Sequence, residues 1–232
     1  MTTICANLQA VRDRVAAASA AAGRDPAEIL LLAVGKTWPA AVLREAAVCG
    51  QRAFGESYVQ EGVVKVGVLA DLGLEWHFIG PLQSNKTRPV AESFDWAHGV
   101  DRLKIAERLS AQRPANRPPL NVCVEVNLSG EASKAGCAPA EAAALCRAVA
   151  GLPNLRLRGL MAIPEPAEES AAARRRFGEL RELRDALNRE EGGGLGLDTL
   201  SMGMSHDLEA AIMEGATIVR VGTAIFGERG KI

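Results

Sequence analysis

No CxxC pair occurs among the five cysteines, at positions 5, 49, 123, 137 and 146, and none stands at metal-ligand spacing from the three histidines. No metal site is expected from that pattern, and a reduced cytoplasm is its simplest home. No apolar segment approaches the roughly 20 residues that span a bilayer. The N-terminus also lacks a basic stretch followed by an apolar run, so neither export nor a membrane anchor is expected. An excess of one charge is missing too. The 27 basic and 28 acidic side chains leave a formal charge of −1, and the Arg-rich patches also carry Glu. That balance argues against nucleic acid or anionic membrane as the main partner. Aromatic residues make up only 4%, with a single tyrosine, Tyr58.

What is present is enough apolar material for a substantial core: 48% hydrophobic against 24% charged residues in a chain of 232. This length suits one α/β barrel, so residues 1–232 are read as a single domain. Ile4, Leu8, Val11 and Val15 recur at helical spacing before Gly23, a natural helix stop. Residues 29–34 form a continuous apolar run, the mark of a buried parallel strand. Further strand-like stretches at 53–55, 76–79, 94–97, 121–126, 156–161, 199–201 and 217–221 alternate with helical ones, as at Phe177, Leu180, Leu183 and Leu187. Asp101 stands as a start signal before the Leu103, Ala106 and Leu109 face. Eight such units predict a single (β/α)8 TIM-type barrel with an extra N-terminal helix. A doubly wound open sheet is the alternative. Turn-rich stretches at 112–119 and 190–196 read as surface loops.

In a parallel barrel the functional face lies at the C-terminal strand ends, so the residues that follow each strand are the informative ones. They are polar: Lys36; Glu56 and Ser57; Gly80 with Gln83, Ser84 and Asn85; His98; Asn127; Ser205; and Gly222 with Thr223. Lys36 ends a wholly apolar strand, where desolvation favours the neutral amine that Schiff-base chemistry needs. A lysine that snorkels from the barrel mouth fits the same position. Gly35-Lys36-Thr37 resembles the end of a P-loop, but the first glycine of that motif would fall at position 30, which is Leu. Glycines and hydroxyls after the last two strands, in Met202 to Asp207 and at Gly222 and Thr223, stand where barrels hold phosphate. Ser205 or Asp207 as plain helix caps is the competing reading. Arg220, set among Ile218, Val219 and Val221, needs an acceptor: a ligand ring nitrogen or a helix glutamate. His77, inside Trp76-His77-Phe78-Ile79, also reads as a satisfied core residue.

Several segments resemble the pyridoxal phosphate homeostasis proteins, small barrels that bind pyridoxal 5′-phosphate (PLP) and are similar to the N-terminal domain of alanine racemase. They are Ala33 to Thr37, Phe54-Gly55-Glu56 with Tyr58 to Glu61, Trp76 to Lys86, Arg158 to Met161, Gly203-Met204-Ser205 with Asp207, and Arg220 to Gly227. The resemblance implies that Lys36 forms the internal aldimine, that Ser205, Gly222 and Thr223 hold the phosphate, and that Arg220 faces the pyridine nitrogen. The matching segments add Ser57, His77, Asn85 and Met204 to the residues expected at the cofactor. Two positions depart from the family: Gly35 where it usually has Ser, and Ser57 where it usually has Asn.

The implied function is non-catalytic PLP buffering or delivery in the cytoplasm, by a monomer or weak dimer, with PLP-dependent apoenzymes as recipients. The rival is a PLP-dependent amino-acid racemase or related enzyme, and a weaker third reading is a phosphosugar-type barrel enzyme using Lys36. Racemisation ordinarily needs two acid–base groups, one on each face of the α-carbon. In alanine racemase the second is a tyrosine from an all-β domain. This chain ends about where its barrel closes, and Tyr58 is expected to begin a helix and pack against it.

Overall fold

The computed structural model describes residues 3–131, 134–164, 170–190 and 194–228, and its eight strands close into a parallel barrel in chain order. The strands are β1 (Leu30–Val34), β2 (Ala53–Glu56), β3 (Glu75–Phe78), β4 (Trp96–Val100), β5 (Leu120–Glu125), β6 (Leu155–Met161), β7 (Thr199–Ser201) and β8 (Ile218–Val221). Leu32 pairs with Arg220 on one side of β1, and Ala33 pairs with Phe54 on the other, which completes the ring. Helix α1 (Thr3–Ala21) precedes the barrel. The intervening helices are α2 (Ala40–Val48), α3 (Val59–Val68), α4 (Thr87–Ser93), α5 (Leu103–Gln112), α6 (Pro139–Ala150), α7 (Ser170–Arg189) and α8 (Leu208–Met213), and α9 (Thr223–Phe226) follows β8.

The alternation of side chains along each strand separates two cores. Leu32, Val34, Ile79, Trp96, Cys123, Met161 and Ile218 fill the barrel interior, whereas Ala33, Phe54, Val124, Leu160 and Val219 belong to the larger layer beneath the helices. The helical stripes read from the sequence face that outer layer. Leu8, Val11 and Val15 of α1 are buried, as are Phe177, Leu180 and Leu187 of α7. Asn7 of α1 donates to the Ile225 carbonyl at 2.9 Å, tying the extra helix to α9.

Three local differences matter for function. The fourth strand starts at Trp96 because Phe94 closes α4, so His98 lies inside β4 and not beyond it. The second strand extends to Glu56, which is fully buried. Asp101 does not cap α5, whose N-cap position is Arg102. The cysteine pattern also resolves differently from its sequence reading, because Cys5 and Cys49 form a disulfide across a separation of 44 residues. Cys123, Cys137 and Cys146 are buried free thiols. The pair joins α1 to the residue that caps α2, a contact with no local sequence signal. Of the predicted loop at 190–196, positions 191–193 lie outside the described residues. Among the described residues no helix is long and apolar enough to cross a membrane. Nor do three or more His, Cys, Asp or Glu among them form a group that could hold a metal ion.

Candidate functional site

A cavity of about 760 Å³ opens at the C-terminal ends of the strands. Its wall includes Lys36, Ser57, Met204, Ser205, Arg220, Gly222 and Thr223, so seven of the nine residues expected at a cofactor line one space. Asn85 and His77 do not line it. Asn85 is exposed on a short 3₁₀ turn before α4. His77 points into the barrel interior, stacked on Trp96 and hydrogen-bonded to Glu75 and His98, as in the core-residue reading of its sequence.

Lys36 follows β1, and its backbone neighbours on both sides are held by one buried lysine. Lys65 of α3 donates to the Gly35 carbonyl at 2.8 Å, to Glu56 Oε1 at 2.8 Å and to Glu61 Oε1 at 2.5 Å. Glu61 in turn accepts the Thr37 backbone N–H at 2.6 Å. That contact supports Thr37 at φ 69°, a conformation that a β-branched residue rarely adopts. Burial pushes the Glu56 carboxyl up to about 7, against the opposing pull of Lys65. Gly35 suits this packing, because a Cβ there would lie 2.8 Å from Leu43 Cδ2 and 2.9 Å from Glu56 Oε1. The next strand end is equally tight. A Cβ at Gly80 would stand 2.3 Å from the Ser57 carbonyl oxygen, so glycine lets the β2 and β3 ends meet at the mouth.

The β7–β8 side combines a tight glycine turn with backbone contacts made by the charged side chains Asp207 and Arg14. Gly203 adopts φ 90°, and a Cβ there would lie 2.5 Å from Ala211 Cβ, so the chain turns tightly from β7 toward α8. Asp207 accepts the Met204 N–H at 2.6 Å, and Arg14 of α1 donates to the Ser205 carbonyl at 3.0 Å. The Ser205 hydroxyl accepts the Ala224 N–H at 3.4 Å, which brings the two loops together. Ser205 is therefore more than a plain helix cap. Arg220, almost fully buried, donates from Nη1 to Ser201 Oγ at 2.7 Å and from Nη2 to the Ala162 carbonyl at 2.9 Å. Burial lowers its pKa to about 10, with the charge of Glu125 opposing, so the guanidinium remains cationic at neutral pH. The helix-glutamate partner considered for Arg220 is not among these contacts. Glu125 itself, at the end of β5, is pushed up to about 7 by burial and by Asp101.

Other lining residues went unnoticed in the sequence. Asp101 and Arg102 follow β4 directly, and Lys86 lies beyond β3; a correct end for β4 would have exposed the first two. Tyr58 begins α3 at its N-cap position, as expected, and is half exposed at the mouth. Chemically, the wall combines an amine with hydroxyl and backbone donors and a buried guanidinium. Such a set suits a carbonyl compound that carries an anionic group.

The model of the family described as alanine racemase, N-terminal domain, matches residues 6–230. A pyridoxal phosphate homeostasis protein of Pseudomonas aeruginosa is 65% identical over 229 residues, covering 99% of this chain and 97% of that protein. One from Escherichia coli is 56% identical over 232 residues, covering 99% and 98%. The solved structure of PipY from Synechococcus elongatus with PLP bound superposes with a TM-score of 0.85 at 38% identity, covering 97% of this chain and all of that one. With a closed barrel of the same architecture and identities above half over nearly the whole length, this chain belongs to the pyridoxal phosphate homeostasis protein family, built on the alanine racemase N-terminal domain.

Proposed function

We propose that this chain binds PLP reversibly through Lys36 and buffers it or delivers it to PLP-dependent apoenzymes in the cytoplasm, without turnover of its own. The observation that carries this reading is the convergence of Lys36, Ser205, Arg220, Gly222 and Thr223 on one cavity. The names of the curated relatives and the PLP-bound PipY structure support the choice of ligand. Bound PLP supplies an aldehyde for amines and an electron-accepting ring.

The chain's own residues divide the work. Lys36, as a neutral amine, would hold the cofactor through Nζ at the aldehyde carbon, with loss of one water. The Lys65 cluster fixes the backbone on either side of Lys36, which restricts where Nζ can reach. Ser205 and Thr223 offer hydroxyls, and the Gly222–Thr223 backbone offers N–H groups, to the phosphate. Arg220, which stays charged, would offer a donor to the ring nitrogen and so disfavour its protonation. An unprotonated ring nitrogen is a weaker electron sink, which favours holding the cofactor over using it. Ser57 and Met204 complete the wall.

The racemase reading keeps one observation in its favour: Tyr58, a possible second acid–base group, lines the same cavity. Absorption spectroscopy and assays on the purified protein with PLP separate the two. The expected outcome is a visible band that borohydride removes, with neither racemisation of alanine nor exchange of its α-proton at an enzyme-like rate. Rapid racemisation that disappears in Tyr58→Phe would make the protein an enzyme.

A further inference from the structure

We infer that Ser201, His98, His77 and Glu75 form an internal positioning relay that holds the Arg220 guanidinium from within the barrel, with both histidines neutral and protonated on Nε2. The relay crosses the barrel from foot to mouth. Glu75 begins β3, His77 lies on the same strand, His98 is on β4, Ser201 ends β7, and Arg220 is on β8. His98 and Ser201 thus bridge two strands that are not neighbours in the sheet. The contacts are continuous: Arg220 Nη1 to Ser201 Oγ at 2.7 Å, Ser201 Oγ to His98 Nδ1 at 2.8 Å, His98 Nε2 to His77 Nδ1 at 2.9 Å, and His77 Nε2 to Glu75 Oε1 at 2.9 Å.

Proton counting sets the direction. Arg220 can only donate, so Ser201 Oγ accepts from it and has its own hydrogen to place. His98 Nδ1 is within reach and takes that hydrogen. His98 then carries its proton on Nε2 and donates to His77 Nδ1, and His77 donates from Nε2 to the Glu75 carboxylate. Every donor points from the guanidinium toward the carboxylate. In the reversed order the Ser201 hydrogen would lose its acceptor. His77 would then either turn a lone pair on Glu75 or become a cation with no solvent exposure. Burial lowers both histidines, and for His98 the charge of Arg220 adds to it. Glu75 is lowered, chiefly by its hydrogen bond with His77, and it also accepts from Trp96 Nε1 at 2.7 Å.

Such a polar line through an apolar interior is costly unless each member is satisfied, and here each is. Its consequence is geometric. Ser201 and the Ala162 carbonyl fix two guanidinium N–H groups, which sets the plane in which the remaining donors face the cavity. The effect of this plane on a ligand rests on the PLP reading above, but the relay itself does not.

The test therefore has one arm without ligand and one with PLP. In the ligand-free full chain, ¹⁵N NMR is expected to show His77 and His98 as neutral Nε2–H tautomers near neutral pH. The Arg220 side-chain N–H groups should exchange slowly, and about tenfold faster in Ser201→Ala than in wild type or Ser201→Thr, since one charge-assisted hydrogen bond is lost. With PLP, Ser201→Ala and His98→Leu should bind about tenfold more weakly, with a shifted visible band per molecule bound, whereas His98→Gln, which both donates and accepts, should recover much of the loss. A protonated or Nδ1–H histidine at either position, or equal Arg220 exchange in Ser201→Ala, would overturn the relay. So would folded variants whose bound-PLP band and affinity match wild type. If PLP gives no visible band even with wild type, the cofactor reading fails, and the NMR arm alone decides the relay.

Discussion

On the β1–β2 side of the barrel mouth, Lys36 is framed by charges: buried Lys65 clamps Gly35, Glu56 and Glu61, and Glu61 pins Thr37 in a strained conformation. On the β7–β8 side, Ser205, Gly222 and Thr223 are set by the turn at Gly203, by single backbone contacts from Arg14 and Asp207 and by a long hydroxyl contact to Ala224. Under the proposed function, the difference matches two tasks. One amine that must meet one carbon benefits from a rigid backbone, whereas an anion with several equivalent oxygens can be met by donors of looser geometry. The largest effect that would break this contrast is at its covalent end. Lys36→Ala should abolish the visible PLP band and the borohydride-trapped adduct while leaving the circular dichroism spectrum unchanged. An equal adduct in that variant would transfer the role to another amine, such as Lys86, which lines the same cavity.

Next in size is the clamp. Lys65→Met leaves two carboxylates without their buried partner, and denaturant unfolding should register a loss of about 3–5 kcal/mol. The yield of trapped adduct should fall with it, because Glu61 no longer anchors Thr37. Unchanged stability would mean that the charged frame is dispensable. On the β7–β8 side, Ser205→Ala combined with Thr223→Ala should weaken PLP by roughly 10–100-fold in a titration and weaken unphosphorylated pyridoxal far less. Equal weakening of both would place these hydroxyls away from the phosphate.

Why the β7–β8 side was legible in the sequence and the Lys65 frame was not follows from how each is encoded. The strands appear as short apolar runs whose C-terminal neighbours are polar, so Lys36, Ser205, Gly222 and Thr223 could be read by position alone. Resemblance added the expectation that Arg220 faces a ring. Lys65, by contrast, sits in an ordinary helical stretch where Glu61 is a routine i,i+4 neighbour, and only folding brings the Gly35 carbonyl and Glu56 to it. His77 and His98 are 21 residues apart, and only barrel closure brings His98 to Ser201, 103 residues onward. The positive φ at Thr37 leaves no mark on composition, since a threonine gives no reason to expect it. Asn85 lies in a highly characteristic motif, yet it is exposed on a short 3₁₀ turn and does not line the cavity.

The smallest effect concerns Glu125, across the barrel from both sides. Its folded carboxyl titrates near 7, above the ordinary 4.5, so the folded chain keeps a proton that the unfolded chain releases. Its contribution to stability therefore falls as pH rises from about 4.5 through about 7. Glu125→Gln should flatten that decline. Above pH 7 the gain should be on the order of 1–2 kcal/mol, because the change also removes an attraction to Arg220. A steeper decline in the variant would reverse the sign of this account.

The most direct measurement is the location of the cofactor in the unmodified protein. Wild-type protein saturated with PLP, reduced with borohydride, digested and mapped by mass spectrometry should carry one pyridoxyl phosphate group, on the peptide that contains Lys36. A group on Lys86 or any other lysine with Lys36 unmodified, or no trapped group at all, would contradict the assignment of the mouth as a Lys36-centred PLP site.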